Sequence, residues 1–184
     1  MIYYSDMLAQ RRARPTDDLT SALLAVEIDG DRLTDEEIIG VLFLLVVAGN
    51  ETTTKLLANA WYWAWRFPDQ RAKPFADPAR IPQWIEETLR YDTSSQMLAR
   101  TATVDIPAHG GTIPAGDRVL LLVGSANRDP RAFTAPDVYD LDRPEPLPQL
   151  ASFGFGRHYC MGASLARLEA RVALEELLAA FSDY

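Results

Sequence analysis

The run Phe153-Gly154-Phe155-Gly156-Arg157-His158-Tyr159-Cys160-Met161-Gly162 holds the one cysteine of this 184-residue chain, and a helix-like stretch starts directly behind it. A thiol on a glycine-rich loop that feeds a helix N-terminus faces free backbone N–H groups. It also faces the positive end of the helix dipole, and both favour the thiolate. A stabilised thiolate serves redox chemistry, nucleophilic attack or metal ligation. A lone cysteine is more often a buried structural thiol. The rest of the chain has to separate these readings.

Bulk properties remove several of them. A single cysteine allows no internal disulfide and fits a reducing compartment. With only His109 and His158 besides, it also excludes a multi-cysteine zinc or iron–sulfur site. The net charge is −8 and the pI about 4.7, which argues against nucleic acid or an anionic membrane as partner. The start Met1-Ile2-Tyr3-Tyr4-Ser5-Asp6 lacks the charged-then-apolar form of a signal peptide. The longest apolar run, Ile38 to Ala48, is too short to span a bilayer. A cytoplasmic protein without membrane contact is the expectation.

Upstream of the cysteine the chain is mostly helical. Residues 1–14 read as the end of a helix, 19–27 as a short amphipathic stretch, and Asp29-Gly30-Asp31-Arg32 as a turn. Thr34 with Glu37 fits a capping box, and Leu33 with Ile38 a hydrophobic staple. From Asp35 nothing forbids a helix until Phe67-Pro68, which gives roughly 30 residues or about 45 Å. Its first half is apolar on every face, the mark of a helix running through the middle of a larger protein. A second helix covers about 81–91. Short strands follow in 97–123, with Val119-Leu120-Leu121-Leu122-Val123 expected to be buried. Ile113-Pro114-Ala115-Gly116 suits a type I turn, and Asp129-Pro130 suits the start of a short helix. Residues 134–150 form a proline-rich meander. A last helix, about 163–181, sets Leu165, Leu168, Val172 and Leu177 near one face. Trp61, Trp63, Trp65 and Trp84 read as packing residues. The fold class is mainly α with small β-sheets, in a single domain over 1–184.

Three stretches line up in order: Ala48-Gly49-Asn50-Glu51-Thr52-Thr53 in the long helix, Glu87-Thr88-Leu89-Arg90, and the cysteine run Phe-x-x-Gly-x-x-x-Cys-x-Gly. Together they closely resemble the cytochrome P450 family of haem-thiolate monooxygenases in its soluble bacterial form. The resemblance implies haem b, held by Cys160 as axial thiolate ligand that pushes electron density onto the iron. Gly156 and Gly162 would let the backbone approach the porphyrin. Phe153 would pack beside the sulfur. Arg100 and His158 match positions that pair with haem propionates, with Arg157 assisting. Glu51 and Thr52 match an acid–alcohol pair that delivers protons during dioxygen activation, and small Ala48 and Gly49 would leave a groove for oxygen. A carboxylate in a buried helix needs such a reason. Glu87 and Arg90 share one helical face, where a bland surface pair is the commonest outcome. By resemblance Arg143 joins them, and the trio locks the meander that carries Cys160.

The implied activity inserts one oxygen atom of dioxygen into an apolar small molecule, with electrons from NAD(P)H through a ferredoxin and its reductase. Two alternatives keep the family: a peroxide-driven haem-thiolate enzyme, and an inactive fragment that binds little haem. The Glu51–Thr52 pair speaks against the first. A cysteine-nucleophile hydrolase fits worst, since no second histidine–acid pair is evident near Cys160. Family members are roughly twice this length. The chain therefore reads as the C-terminal portion, without the N-terminal half and without the strands that follow the last helix. Thr93-Ser94-Ser95-Gln96 also departs from the family, where a proline is common, in a loop that bears on the substrate.

Overall fold

In the computed structural model, which describes residues 2–181, Thr34 and Glu37 make both bonds of a capping box. Thr34 N–H donates to Glu37 Oε2 at 2.8 Å, and Glu37 N–H donates to Thr34 Oγ1 at 3.3 Å. The helix they open, α3, runs Asp35–Arg66. Before it come α1 (Ile2–Ala13), α2 (Leu19–Ala25) and a two-residue hairpin of β1 (Glu27–Ile28) and β2 (Asp31–Arg32). Asp29 and Gly30 link those strands at φ 55° and 83°, the paired positive values of a type I′ turn. Asp18 caps α2 by accepting from Ser21 N–H. That bond, with the Arg11 and Thr16 side chains, holds its carboxyl well below the usual carboxylate range.

After α3 come α4 (Pro68–Ala76), a 3₁₀ turn at Pro78–Arg80, and α5 (Ile81–Tyr91). Four short strands follow: β3 (Leu98–Thr101), β4 (Ile106–Ala108), β5 (Gly111–Ile113) and β6 (Arg118–Leu121). β3 pairs antiparallel with β6, Arg100 opposite Val119, and β4–β5 is a hairpin between them. Then come α6 (Val123–Ala126), the meander, 3₁₀ turns at Ala151–Phe153 and Gly156–His158, and α7 (Ala163–Ala180). Ser182–Tyr184, which follow the last helix in the sequence reading, lie outside the described residues, as does Met1.

The chain packs as two compact units that divide between Glu51 and Thr52. The first has a small core of Leu8, Ile38, Ile39 and Leu42, with the staple residue Leu33 packed against it. The second is built on α5, whose Ile81, Trp84, Ile85 and Leu89 meet Ala60 and Ala64 of α3 and Ala170 and Leu174 of α7. Tyr139 of the meander inserts here and bonds Thr88 Oγ1 at 2.8 Å. Its ring stacks on Phe67 at 5.4 Å, and burial pushes its phenol well above the usual range. Trp84 is buried and Trp61 and Trp63 pack on the core, but Trp65 is exposed.

Several expectations are corrected. The stretch Val119–Val123 is not a buried strand: Leu120, Leu121 and Leu122 are exposed, and Val123 leaves the strand to start α6. A two-stranded ladder has too few strands to bury a face of its own. The turn after β5 sits one residue later than read. Asp117 N–H donates to Pro114 O, which puts Gly116 third at φ 90°, a type II arrangement. Asp129 caps a turn through Arg131 N–H rather than opening a helix. In α7 the buried face carries Ala163, Ala170 and Leu174; Leu165, Leu168 and Val172 are exposed, while Leu177 packs on the core. Small Ala170 lets α5 and α7 pack closely. In α3, Phe43, Leu44, Val46 and Val47 are exposed, so the carboxylate of Glu51 is not buried here. Apolar runs alone also understated α3. Counted as a helix, it holds an 18-residue window of mean hydropathy 1.4, long and apolar enough by length and composition to cross a membrane.

Candidate haem-thiolate site

The cysteine loop is shaped by two glycines in left-handed geometry. The 3₁₀ turn Ala151–Phe153 ends on Gly154 at φ 71° and ψ −166°, and Gly156 follows at φ 61°. The values at Gly154 belong to a region essentially reserved for glycine. A Cβ there would stand 3.4 Å from His158 O. The kink brings Cys160 N–H back onto Phe153 O at 2.9 Å and closes the loop at its neck. Cys160 O then accepts from Ala163 N–H at 3.3 Å, and Gly162, at ordinary φ, serves as N-cap of α7. A Cβ on Gly162 would lie 3.9 Å from the Cys160 sulfur.

Cys160 is exposed, which removes the buried structural thiol from consideration. Phe155 and Met161 of the same loop are 54% and 83% exposed. An exposed thiol on a glycine-kinked loop that also leaves apolar groups unburied suits a flat apolar macrocycle that ligates through its metal. His158 lies in the second 3₁₀ turn and is exposed. Arg100 is exposed on β3 and donates only locally, to Ala99 O at 2.9 Å, leaving most of its guanidinium to solvent. Phe153 is partly buried against the core.

Glu87, Arg90 and Arg143 come together. Arg90 donates Nε and Nη2 to the two oxygens of Glu87 at 2.7 and 2.8 Å. Arg143 Nε reaches Glu87 Oε2 at 2.9 Å, and Asp140 N–H reaches Glu87 Oε1 at 2.8 Å. Glu87 and Arg90 are 1% and 0% exposed, far from a bland surface pair. Arg90 also donates to the carbonyls of Asn127, Pro136 and Val138, and Arg143 to those of Thr134, Ala135 and Val138. The meander has little regular structure, so guanidinium groups supply the partners that a helix or sheet would otherwise give its backbone.

Ala48, Gly49 and Glu51 lie exposed at the end of the first unit, and half-buried Thr52 opens the second. Two residues that position the loop were not singled out from sequence. Buried Asn127 accepts from Ala151 N–H at 2.7 Å and donates to Leu89 O and Ser152 Oγ, which ties the start of the loop to α5. Nothing local marks a buried asparagine. Gly154 could have been found, since two glycines spaced by one residue ahead of a cysteine imply more than one kink.

The family model for cytochrome P450 matches residues 81–182. Cytochrome P450 123 of Mycobacterium tuberculosis is 60% identical over 184 residues, all of this chain and 46% of that protein. Among solved structures, P450BioI in complex with an acyl carrier protein ligated to hexadec-9Z-enoic acid is 44% identical with a TM-score of 0.89. The match covers 97% of this chain and 46% of that one. The hydroxylase HmtN of himastatin biosynthesis superposes with a TM-score of 0.93 at 38% identity, over 98% of this chain and 48% of that one. The fold is thus that of these proteins. The chain belongs to the cytochrome P450 family, and membership implies haem as cofactor. It spans about half the length of the curated relatives it matches.

Proposed function

We propose that this chain is the thiolate-bearing part of a soluble bacterial monooxygenase that inserts one oxygen atom of dioxygen into an apolar small molecule. The observation that carries this is the outward sulfur of Cys160 on a glycine-kinked loop at the head of α7, in a chain with the P450 fold. Cys160 would hold the haem iron through its thiolate. His158 and Arg100 are cations with solvent-facing side chains, suited to haem propionates. Bound haem supplies dioxygen activation, and electrons come from NAD(P)H through a ferredoxin and reductase. The protein's own tasks are to hold the thiolate, exclude water beside it with Phe153, and move protons through Glu51 and Thr52 of α3. Ala48 and Gly49 leave that part of the helix without bulk. Glu87, Arg90 and Arg143 fix the meander that leads to the loop. A cytoplasmic location fits the bacterial relatives.

A second reading, a remnant with little haem binding, draws on the exposed apolar faces of α3 and α7. One experiment separates the two. The chain is expressed with a haem precursor, and the carbon monoxide difference spectrum is recorded after reduction. A thiolate-ligated band that disappears in Cys160→Ser supports the first reading. No haem uptake by the unaltered chain refutes it for this chain.

A further inference from the structure

We infer that Arg167 is a positioning residue that clamps both ends of the cysteine loop to α5; the inference deepens the proposed thiolate site and rests on it. Arg167 lies on the first two turns of α7, seven residues past Cys160. Its guanidinium forks onto Glu86 of α5, Nε to Oε1 at 2.5 Å and Nη2 to Oε2 at 3.1 Å. The same plane sits over the Phe153 ring at 4.5 Å, within cation–π range. Tyr159 lines the same cleft as Arg167, Glu86 and Phe153, and Nη1 contacts Ala163 O at 3.4 Å.

Phe153 and Tyr159 are the residues at the two ends of the loop. Phe153 O receives the Cys160 amide, and Tyr159 precedes the cysteine. One arginine therefore lies over one end of the segment that aims the sulfur and shares a cleft with the other. A salt bridge with both partners partly exposed, 36% and 25% here, ordinarily contributes little. What sets this one apart is that the fork to Glu86 holds the guanidinium over the Phe153 ring, in the cleft that Tyr159 also lines. Lysine keeps the charge but has neither fork nor plane, so it cannot substitute.

The test is amide hydrogen exchange on the full chain, with the carbon monoxide spectrum of haem-loaded protein beside it. In Arg167→Lys, protection of the Cys160 amide should drop about tenfold, the size of effect that one charge-assisted hydrogen bond contributes to a local opening. The amides of Leu89 and Arg90 within α5 should keep theirs. Glu86→Gln, which weakens the fork but keeps a guanidinium able to lie over Phe153, should give a smaller loss. The double variant should add little to Arg167→Lys, because both changes act on one contact. In loaded protein, the thiolate-ligated fraction should fall in the same order. Unchanged Cys160 protection overturns the inference, as does a loss spread equally through α5 and α7. If the unaltered chain takes up no haem, the functional reading fails while the exchange arm still decides the clamp.

Discussion

Replacing Glu87 by glutamine keeps the shape of a buried side chain and removes its charge. In the native site Glu87 accepts from Arg90 twice, from Arg143 once and from the Asp140 amide once. Glutamine can accept only at its oxygen, so an NH₂ group must face a guanidinium. Arg90, fully buried, is left without a counter-charge. Breaking a buried ion pair on one side costs about 3–5 kcal/mol, against total domain stabilities of about 5–15 kcal/mol. Urea unfolding of the second unit, followed by fluorescence of its Trp63 and Trp84, measures this directly. At a slope of about 2 kcal/mol per molar, the midpoint should fall by about 1.5–2.5 M. Arg143→Ala should lose less, since Glu87 keeps its fork with Arg90. Arg171→Ala, which removes an exposed i,i+4 pair with Glu175, should leave the midpoint in place. A loss below about 1 kcal/mol for Glu87→Gln, the range of surface pairs, would refute the claim that this carboxylate anchors the meander.

Three further outcomes are expected. Gly154→Ala should cost about 1–3 kcal/mol in the same titration because of its backbone region, while Gly162→Ala, at φ −84°, should cost clearly less; equal losses would contradict the loop geometry. A Cβ on Gly124 would stand 2.1 Å from Gln96 Oε1, so Gly124→Ala should expel that side chain from its bonds to Asp92 and Thr93, at about 1 kcal/mol. That cost should shrink in a Gln96→Ala background, and strict additivity would argue against the contact. Lys73 first, and then Arg80, hold the Asp142 carboxyl below its ordinary value. Its contribution is therefore present above the unfolded carboxylate pKa and lost as pH falls through the lower folded one. The stability gap between the native chain and Asp142→Asn should close on acidification below about pH 4; a gap independent of pH would show that the charge is not what matters.

Local signals carried far in this chain, and failed where tertiary partners decide. The capping box, the staple, the Asp29-Gly30 turn and the limits of α3, α5 and α7 all follow from chemistry within a few residues. α4 was missed because Pro68 reads as a stop, whereas it begins a new helix at the first position, where its absent N–H costs nothing. The stripe Leu165–Leu168–Val172 is a correct helical period that nonetheless points outward. Periodicity finds an apolar face, and only the packing of Ala170 against α5 selects which face is buried. Asn127 is the opposite case, a polar side chain whose burial depends on carbonyls and amides from sequence-distant loops.

The same logic explains why α5 governs the cysteine loop from two sides. Consecutive residues on a helix point about 100° apart, so Glu86 and Glu87 cannot serve one partner. Glu86 faces α7 and takes Arg167, while Glu87 faces the meander and takes Arg90 and Arg143. Leu89 O, a turn later, accepts from both Asn127 and Ser152 at the entrance of the loop. The loop itself has two internal backbone bonds, Cys160 N–H to Phe153 O at its neck and Tyr159 N–H to Gly156 O in its 3₁₀ turn. With so little internal bonding, its geometry must be imposed from outside, and α5 supplies the attachments before and after the sulfur. A change that turns α5 by even one residue would exchange the partners of Glu86 and Glu87 and release both at once. Swapping the helical phase, by inserting one alanine between Gln83 and Trp84, should therefore abolish protection of the Cys160 and Asp140 amides together. Retention of either one would mean that the two attachments are independent.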